Sequence, residues 1–173
     1  TDYVKKLGVW DETQDASTVA FAKGRVAYYF GPTWRYFDIK ELSKNSRLNF
    51  KIVPVPQISG EPVAVTQSSY WAEAVSAQSP NKREALDFLK YLSSKDVLIK
   101  VYSEEKKQRD FGEPYSRVDL KDFLATDPNV GPFILGANND KSSFLSSATW
   151  DGDSGVNSLT SQYYENAVNA VLQ

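Results

Sequence analysis

Cysteine, histidine and methionine are all missing from these 173 residues. Without cysteine there is no disulfide framework, no thiolate nucleophile and no zinc ribbon. Without histidine the usual general base of a serine or cysteine hydrolase is gone, together with the commonest transition-metal ligand. Any catalysis would have to rest on carboxylates, lysine or tyrosine. Charge of one sign is also lacking: 20 Lys plus Arg face 22 Asp plus Glu, a net charge of −2 with no block of like charge. That balance argues against nucleic acid or an anionic membrane as the main partner. Apolar stretches such as residues 26–30 are far too short to span a bilayer. The chain opens Thr1-Asp2-Tyr3, without an initiator Met or the charged head and apolar middle of a leader. A processed chain, or a piece of a longer one, is the expectation.

What is present is 41% hydrophobic and 13% aromatic, enough for one compact domain or two small ones. Residues 15–23 read as a short helix with Ala16, Val19 and Ala20 on one face, and Gly24 stands where a left-handed cap belongs. Residues 25–30 are β-branched and aromatic, a buried-strand pattern that Gly31-Pro32 ends. A second strand is expected over 49–55, ending in Pro54-x-Pro56, and a third over 68–77. Ser79-Pro80 reads as an N-cap with proline at the first helical position. Ala85, Phe88, Leu89 and Leu92 then repeat at helical spacing. Ser94 opens a further helix whose apolar face is Leu98, Val101 and Tyr102, and the charged run 104–110 reads as its solvated end. Helical segments follow over 118–125, after Asp127-Pro128, and over 156–172. The class is α/β, with helices outweighing strands.

Three pieces in this order resemble the C-terminal half of extracellular solute-binding proteins of ABC importers, the sugar-binding family that includes maltose-binding protein. The first is Ala20-Phe21-Ala22-Lys23-Gly24-Arg25-Val26-Ala27 with Gly31-Pro32-Thr33-Trp34. The second is Phe50-Lys51-Ile52-Val53-Pro54-Val55-Pro56. The third runs Tyr70-Trp71-Ala72-Glu73-Ala74-Val75-Ser76-Ala77, then Ser79-Pro80-Asn81-Lys82, then Ala85 and Phe88-Leu89. Tyr28-Tyr29 and Arg25 depart from that pattern, where Met and Lys or Glu are usual. The resemblance implies a periplasmic-binding-protein-like (type II) bilobal fold, present in part, with the solute held between lobes. It also implies a second-lobe segment over 1–52, a hinge crossing at 53–57 and a first-lobe segment over 58–111. A return crossing at 112–115 and a second-lobe helical segment over 116–173 complete the expected organisation.

A sugar site needs flat aromatic platforms for C–H faces and polar groups for the ring hydroxyls. Trp34, after Gly31-Pro32, is either such a platform or a Trp packing the loop onto its own lobe. Trp150, in Ser147-Ala148-Thr149-Trp150, resembles the family's stacking tryptophan. Tyr70 and Trp71 are neighbours on an expected strand, so only one of them can face the cleft, and core packing is the alternative for each. Trp10 is isolated and reads more readily as packing. Asp151 is read as a turn and helix-cap residue, or as a carboxylate accepting hydrogen bonds from sugar hydroxyls beside Trp150. Its Asp-x-Asp start invites calcium, but Gly155 and Gln162 stand where loop ligands belong. Gln67, Ser68 and Ser69 are hydrogen-bond donors to a solute or an ordinary turn, and Arg35 pairs with an anionic solute or is a surface charge.

The resulting expectation is a non-enzymatic solute-binding protein that needs no cofactor or metal. It would deliver a mono- or oligosaccharide to an ABC permease, as a monomer outside the cytoplasmic membrane, with lipoprotein anchoring as one form of attachment. Two other classes stay open at this point. A carboxylate glycosidase would need two acids about 5–10 Å apart, for which Asp151 and Asp153 form the one clustered pair beside an aromatic. A protein-interaction module would use the aromatics as a contact patch.

Overall fold

The computed structural model describes residues 13–46, 48–61, 63–142 and 156–172. Backbone contacts divide the chain into two compact units, residues 1–49 with 141–173, and residues 50–140.

In the first unit α1 (Ser17–Ala22) packs against α2 (Arg35–Leu42), and Ala20, Ala22, Tyr36 and Ile39 are the buried apolar side chains. Helix α1 ends where the sequence places its stop. Gly24 adopts φ +72°, its amide bonds to the Phe21 carbonyl, and the Arg25 amide reaches back to Ala20. Beyond it, residues 25–30 carry the expected β composition but pair with no strand. Side chains hold this segment instead: the Tyr29 ring lies 5.7 Å from Phe21, and its hydroxyl is 3.0 Å from Thr18 Oγ1. Ser46 Oγ closes the unit by donating to the Ala22 carbonyl at 2.6 Å. At the surface Lys23 and Arg25 each reach Asp15 at 2.9 Å. The hydrogen bond from Lys23, helped by the charges of Lys23 and Arg25, holds that carboxyl below its ordinary range against a smaller effect of burial. Helix α7 (Val156–Leu172) falls at the expected bounds, with described side chains half-exposed over 158–160 and exposed over 161–171.

The second unit is built on α3 (Lys82–Leu92), α4 (Lys95–Lys106), a 3-10 turn Val118–Leu120 running into α5 (Lys121–Leu124), and α6 (Gly131–Gly136). Its core is Tyr102, Phe111, Leu120, Leu124, Val130 and Ile134. The strands expected over 49–55 and 68–77 are absent, and the described ladder is the two-residue pair β1 (Thr66–Gln67) with β2 (Asp140–Lys141). A β-rich sequence favours an extended backbone, but a ladder needs a second backbone alongside it. Here the Gln57 side chain takes that place: its Oε1 accepts the Val65 amide at 2.8 Å and its Nε2 donates to the Val55 carbonyl at 3.0 Å. Thr66 Oγ1 lies against both the Gly136 carbonyl, at 2.9 Å, and the Asp140 carboxylate, which ties β1 to the end of α6.

Helix α3 starts two residues later than Ser79-Pro80 suggests, with Asn81 as N-cap. Ser79 Oγ instead accepts the Asn81 amide at 3.2 Å, a local turn that competes with the capping role. The helical spacing of Ala85, Phe88, Leu89 and Leu92 is realised, yet no residue of α3 is buried and Phe88 is 58% exposed. Ser94 occupies the N-cap of α4, but its hydroxyl donates back to the Tyr91 carbonyl at 2.6 Å. Asp127 prepares α6: its Oδ1 accepts the Asn129 amide at 2.9 Å and the Val130 amide at 3.2 Å.

Candidate functional site

The first unit carries Trp34 and Arg35. Residues 31–34 form the approach to α2, with the Arg35 amide bonded to the Pro32 carbonyl and the Tyr36 amide to the Thr33 carbonyl. Trp34 therefore takes the N-cap position of α2. It is 46% exposed, as a platform must be, while Tyr36 and Ile39 anchor the same helix in the core. Arg35 Nη1 reaches Asp38 Oδ2 at 2.8 Å across one helical turn, and both side chains remain about half exposed. The Arg35 guanidinium is thus steered by a carboxylate one turn along the helix. Tyr28 and Phe30, a few residues earlier, are also strongly exposed.

The second unit carries Ser69, Tyr70 and Trp71, all exposed, on a segment without a ladder. The expectation that one of Tyr70 and Trp71 packs into a core does not hold: Tyr70 is 74% and Trp71 89% exposed. Strict alternation between two faces is a property of a paired, pleated strand, and this segment is unpaired. Trp150 and Asp151, as well as Trp10 and Asp153, lie outside the described residues. Trp34 and Arg35 thus share one helix start, and Ser69, Tyr70 and Trp71 share one stretch of the other unit.

One charged cluster was not legible as such from the sequence. Glu105 Oε2 accepts the Glu113 amide at 2.7 Å and Arg109 Nη2 at 2.8 Å, and Arg109 Nη2 also lies 3.3 Å from Glu113 Oε1. The run 104–110 is mostly solvated, as expected, but Glu105 and Arg109 are half-buried within it. The signal was the spacing Glu105, Arg109, Glu113 at four-residue steps around Gly112.

Among the described residues no group of three or more acidic side chains is placed to hold a metal ion. No described helix is long and apolar enough to cross a membrane. No curated protein matches the chain. The family model for bacterial extracellular solute-binding protein matches residues 1–131, which covers the three motif segments and both described aromatic stretches. That family binds solutes and is not one of enzymes, which sets the glycosidase reading aside. The helix-rich build with short strands agrees with part of such a protein. The chain belongs to the bacterial extracellular solute-binding protein family.

Proposed function

We propose that this chain is part of the solute receptor of an ABC importer, binding a mono- or oligosaccharide in a cleft between two lobes of a type II periplasmic-binding-protein-like fold. The observation that carries the sugar reading is Trp34: a half-exposed indole fixed at the head of a helix whose other face is buried. An apolar, rigid face with an adjacent donor is what a pyranose ring needs, and Arg35 supplies the donor. In this reading Trp150, Asp151, Ser69, Tyr70 and Trp71 supply further stacking and hydrogen-bonding groups. Residues 53–57 would be a crossing between lobes, and closure of the lobes on the solute would present the loaded receptor, a monomer, to the permease.

The test is a thermal-shift screen of the protein against neutral mono- and oligosaccharides, acidic sugars and amino acids. A ligand that binds the folded state alone raises the melting temperature, by about 2.7 kcal/mol of added stability at a hundredfold excess over Kd. Shifts confined to neutral saccharides support the reading. Shifts confined to amino acids overturn the sugar assignment and keep the receptor class.

A further inference from the structure

Tyr29 is the inward-turned side chain of the segment that precedes Gly31-Pro32. Its ring lies 5.7 Å from Phe21 and its hydroxyl 3.0 Å from Thr18 Oγ1, both on α1. The same ring folds over Gly31, where a Cβ would stand 2.4 Å from Tyr29 Cε1. The turn then runs into α2 through the Arg35 amide on the Pro32 carbonyl and the Tyr36 amide on the Thr33 carbonyl. With Tyr29 committed to α1, its neighbours Tyr28 and Phe30 are left 85% and 71% exposed, and Trp34 follows at 46%. Large aromatic side chains at 28, 30 and 34 thus stand in water on backbone that other contacts hold. Residues 26–34 include no charged side chain, and the arginines that bound them are each tied to a carboxylate: Arg25 to Asp15 at 2.9 Å, Arg35 to Asp38 at 2.8 Å.

We propose that Tyr28 and Phe30 are further stacking platforms that carry the Trp34 site along this segment, so that the solute is a neutral oligosaccharide and not a single sugar. The proposal rests on the reading of Trp34 as a sugar platform. Exposed aromatics gathered on a short stretch mark a binding surface. A pyranose ring has two faces and can meet at most two stacked aromatics, so a third calls for a second ring. The aromatic faces take the C–H sides of the sugar, and the Tyr28 hydroxyl can donate to or accept from a ring hydroxyl. An uncharged stretch between two paired arginines suits a neutral chain better than an acidic one. Because the Tyr29 contacts fix the backbone before the solute arrives, little of the binding energy is lost to ordering it.

The experiment screens wild type, Tyr28→Ala, Phe30→Ala and Trp34→Ala on an array of neutral and acidic glycans from monosaccharides to hexasaccharides. Retained glycans, and the monosaccharides they are built from, are then titrated calorimetrically. Tyr28→Phe and Phe30→Leu accompany the alanine variants: the first keeps the ring without its hydroxyl, the second keeps apolar bulk without a flat face. Since both positions lie outside the core, all these variants are expected to melt with wild type. Wild type is expected to bind neutral oligosaccharides about tenfold or more tightly than the corresponding monosaccharide. Tyr28→Ala and Phe30→Ala should each lose about three- to tenfold on the oligosaccharides and stay within about twofold on the monosaccharide. Tyr28→Phe should keep most of the affinity and Phe30→Leu should not. Monosaccharide bound as tightly as its oligomers, or oligomer affinity unchanged in Tyr28→Ala and Phe30→Ala but weakened in Trp34→Ala, would overturn the extension and leave the Trp34 platform standing. Retention of acidic glycans alone would overturn the neutral class. No glycan retained, or Trp34→Ala equal to wild type, would overturn the sugar reading of Trp34 and the extension with it.

Discussion

The rings of Tyr102 and Tyr115 lie 5.2 Å apart, inclined at 49°, with Gly112 pressed against the first of them. That contact needs the absence of a side chain at position 112. Gly112→Ala would drive a methyl group onto Tyr102 backbone as well as ring, and backbone cannot swing aside. The expected loss is about 1–3 kcal/mol, the range for overpacking a close-packed site. Urea denaturation of the whole chain measures it, and a loss under about 0.5 kcal/mol would mean that the contact relaxes.

Gly24 provides the contrasting case. Nothing lies within 4 Å of a Cβ built there, but its φ is +72°. Gly24→Ala is therefore expected to cost about 1 kcal/mol through backbone strain alone, and Gly24→Asn less, because asparagine tolerates this region. Equal effects for the two substitutions, read by the same denaturation, would argue against a strain origin.

Among the described residues the buried Tyr102 hydroxyl has no hydrogen-bond partner. Burial first, then the Asp127 carboxylate and Tyr115, push its phenol above the ordinary value of 10.0; the Gly112 backbone and Arg109 pull weakly the other way. Burial also raises Tyr115. A raised acid keeps its proton longer in the folded chain than in the unfolded one. Its contribution is intact below pH 10 and is lost as the pH climbs through the folded value. Stability should fall on the alkaline side, and Tyr102→Phe should flatten that fall. At neutral pH the same substitution removes an unpaired polar atom from the core and should leave stability unchanged or raise it. A clear loss at neutral pH would show that the hydroxyl has a partner, such as a buried water.

Asp127 joins two amides through one oxygen, so Asp127→Ala should cost about 1–2 kcal/mol, with Asp127→Asn retaining part of the effect. Chemical denaturation of the two variants separates lost capping from lost charge.

Helices other than α2, which no sequence pattern announced, were legible because their signals are local. Gly24, the spacing of Ala85 to Leu92, and the apolar stripe Leu159, Tyr163, Ala167 and Val171 each specify an element without reference to distant chain. The strands over 25–30, 49–55 and 68–77 were not, since their sequence fixes an extended backbone and leaves pairing to a neighbour. Gln57 and Tyr29 hold two of those segments by side-chain bonds that no periodicity announces. The same distinction governs the site. Trp34 was recognisable from Gly31-Pro32 before it, and its half-exposed place at the start of α2 follows from that turn. Tyr70 and Trp71 were misjudged because alternation was assumed where no ladder exists. Glu105 and Arg109 looked like ordinary solvated charge until the fold brought the Glu113 amide to them.

The absence of histidine bears on the proposed binding reaction too. No side chain present ordinarily titrates between pH 5 and 8, so the contribution of these side chains to solute affinity should be flat across that window. Calorimetric titrations at the two ends of the window check this; a steep change would point to a carboxylate shifted far from its ordinary range.

The most direct measurement is calorimetric titration of wild type, Trp34→Ala and Trp34→Phe with the saccharide that gives the largest thermal shift. A stacking platform should lose about tenfold or more in affinity on truncation to alanine and recover much of it with phenylalanine, which keeps a flat ring. Affinities equal within a factor of two across all three proteins would contradict a binding role for Trp34, and with it the placement of the sugar against the head of α2.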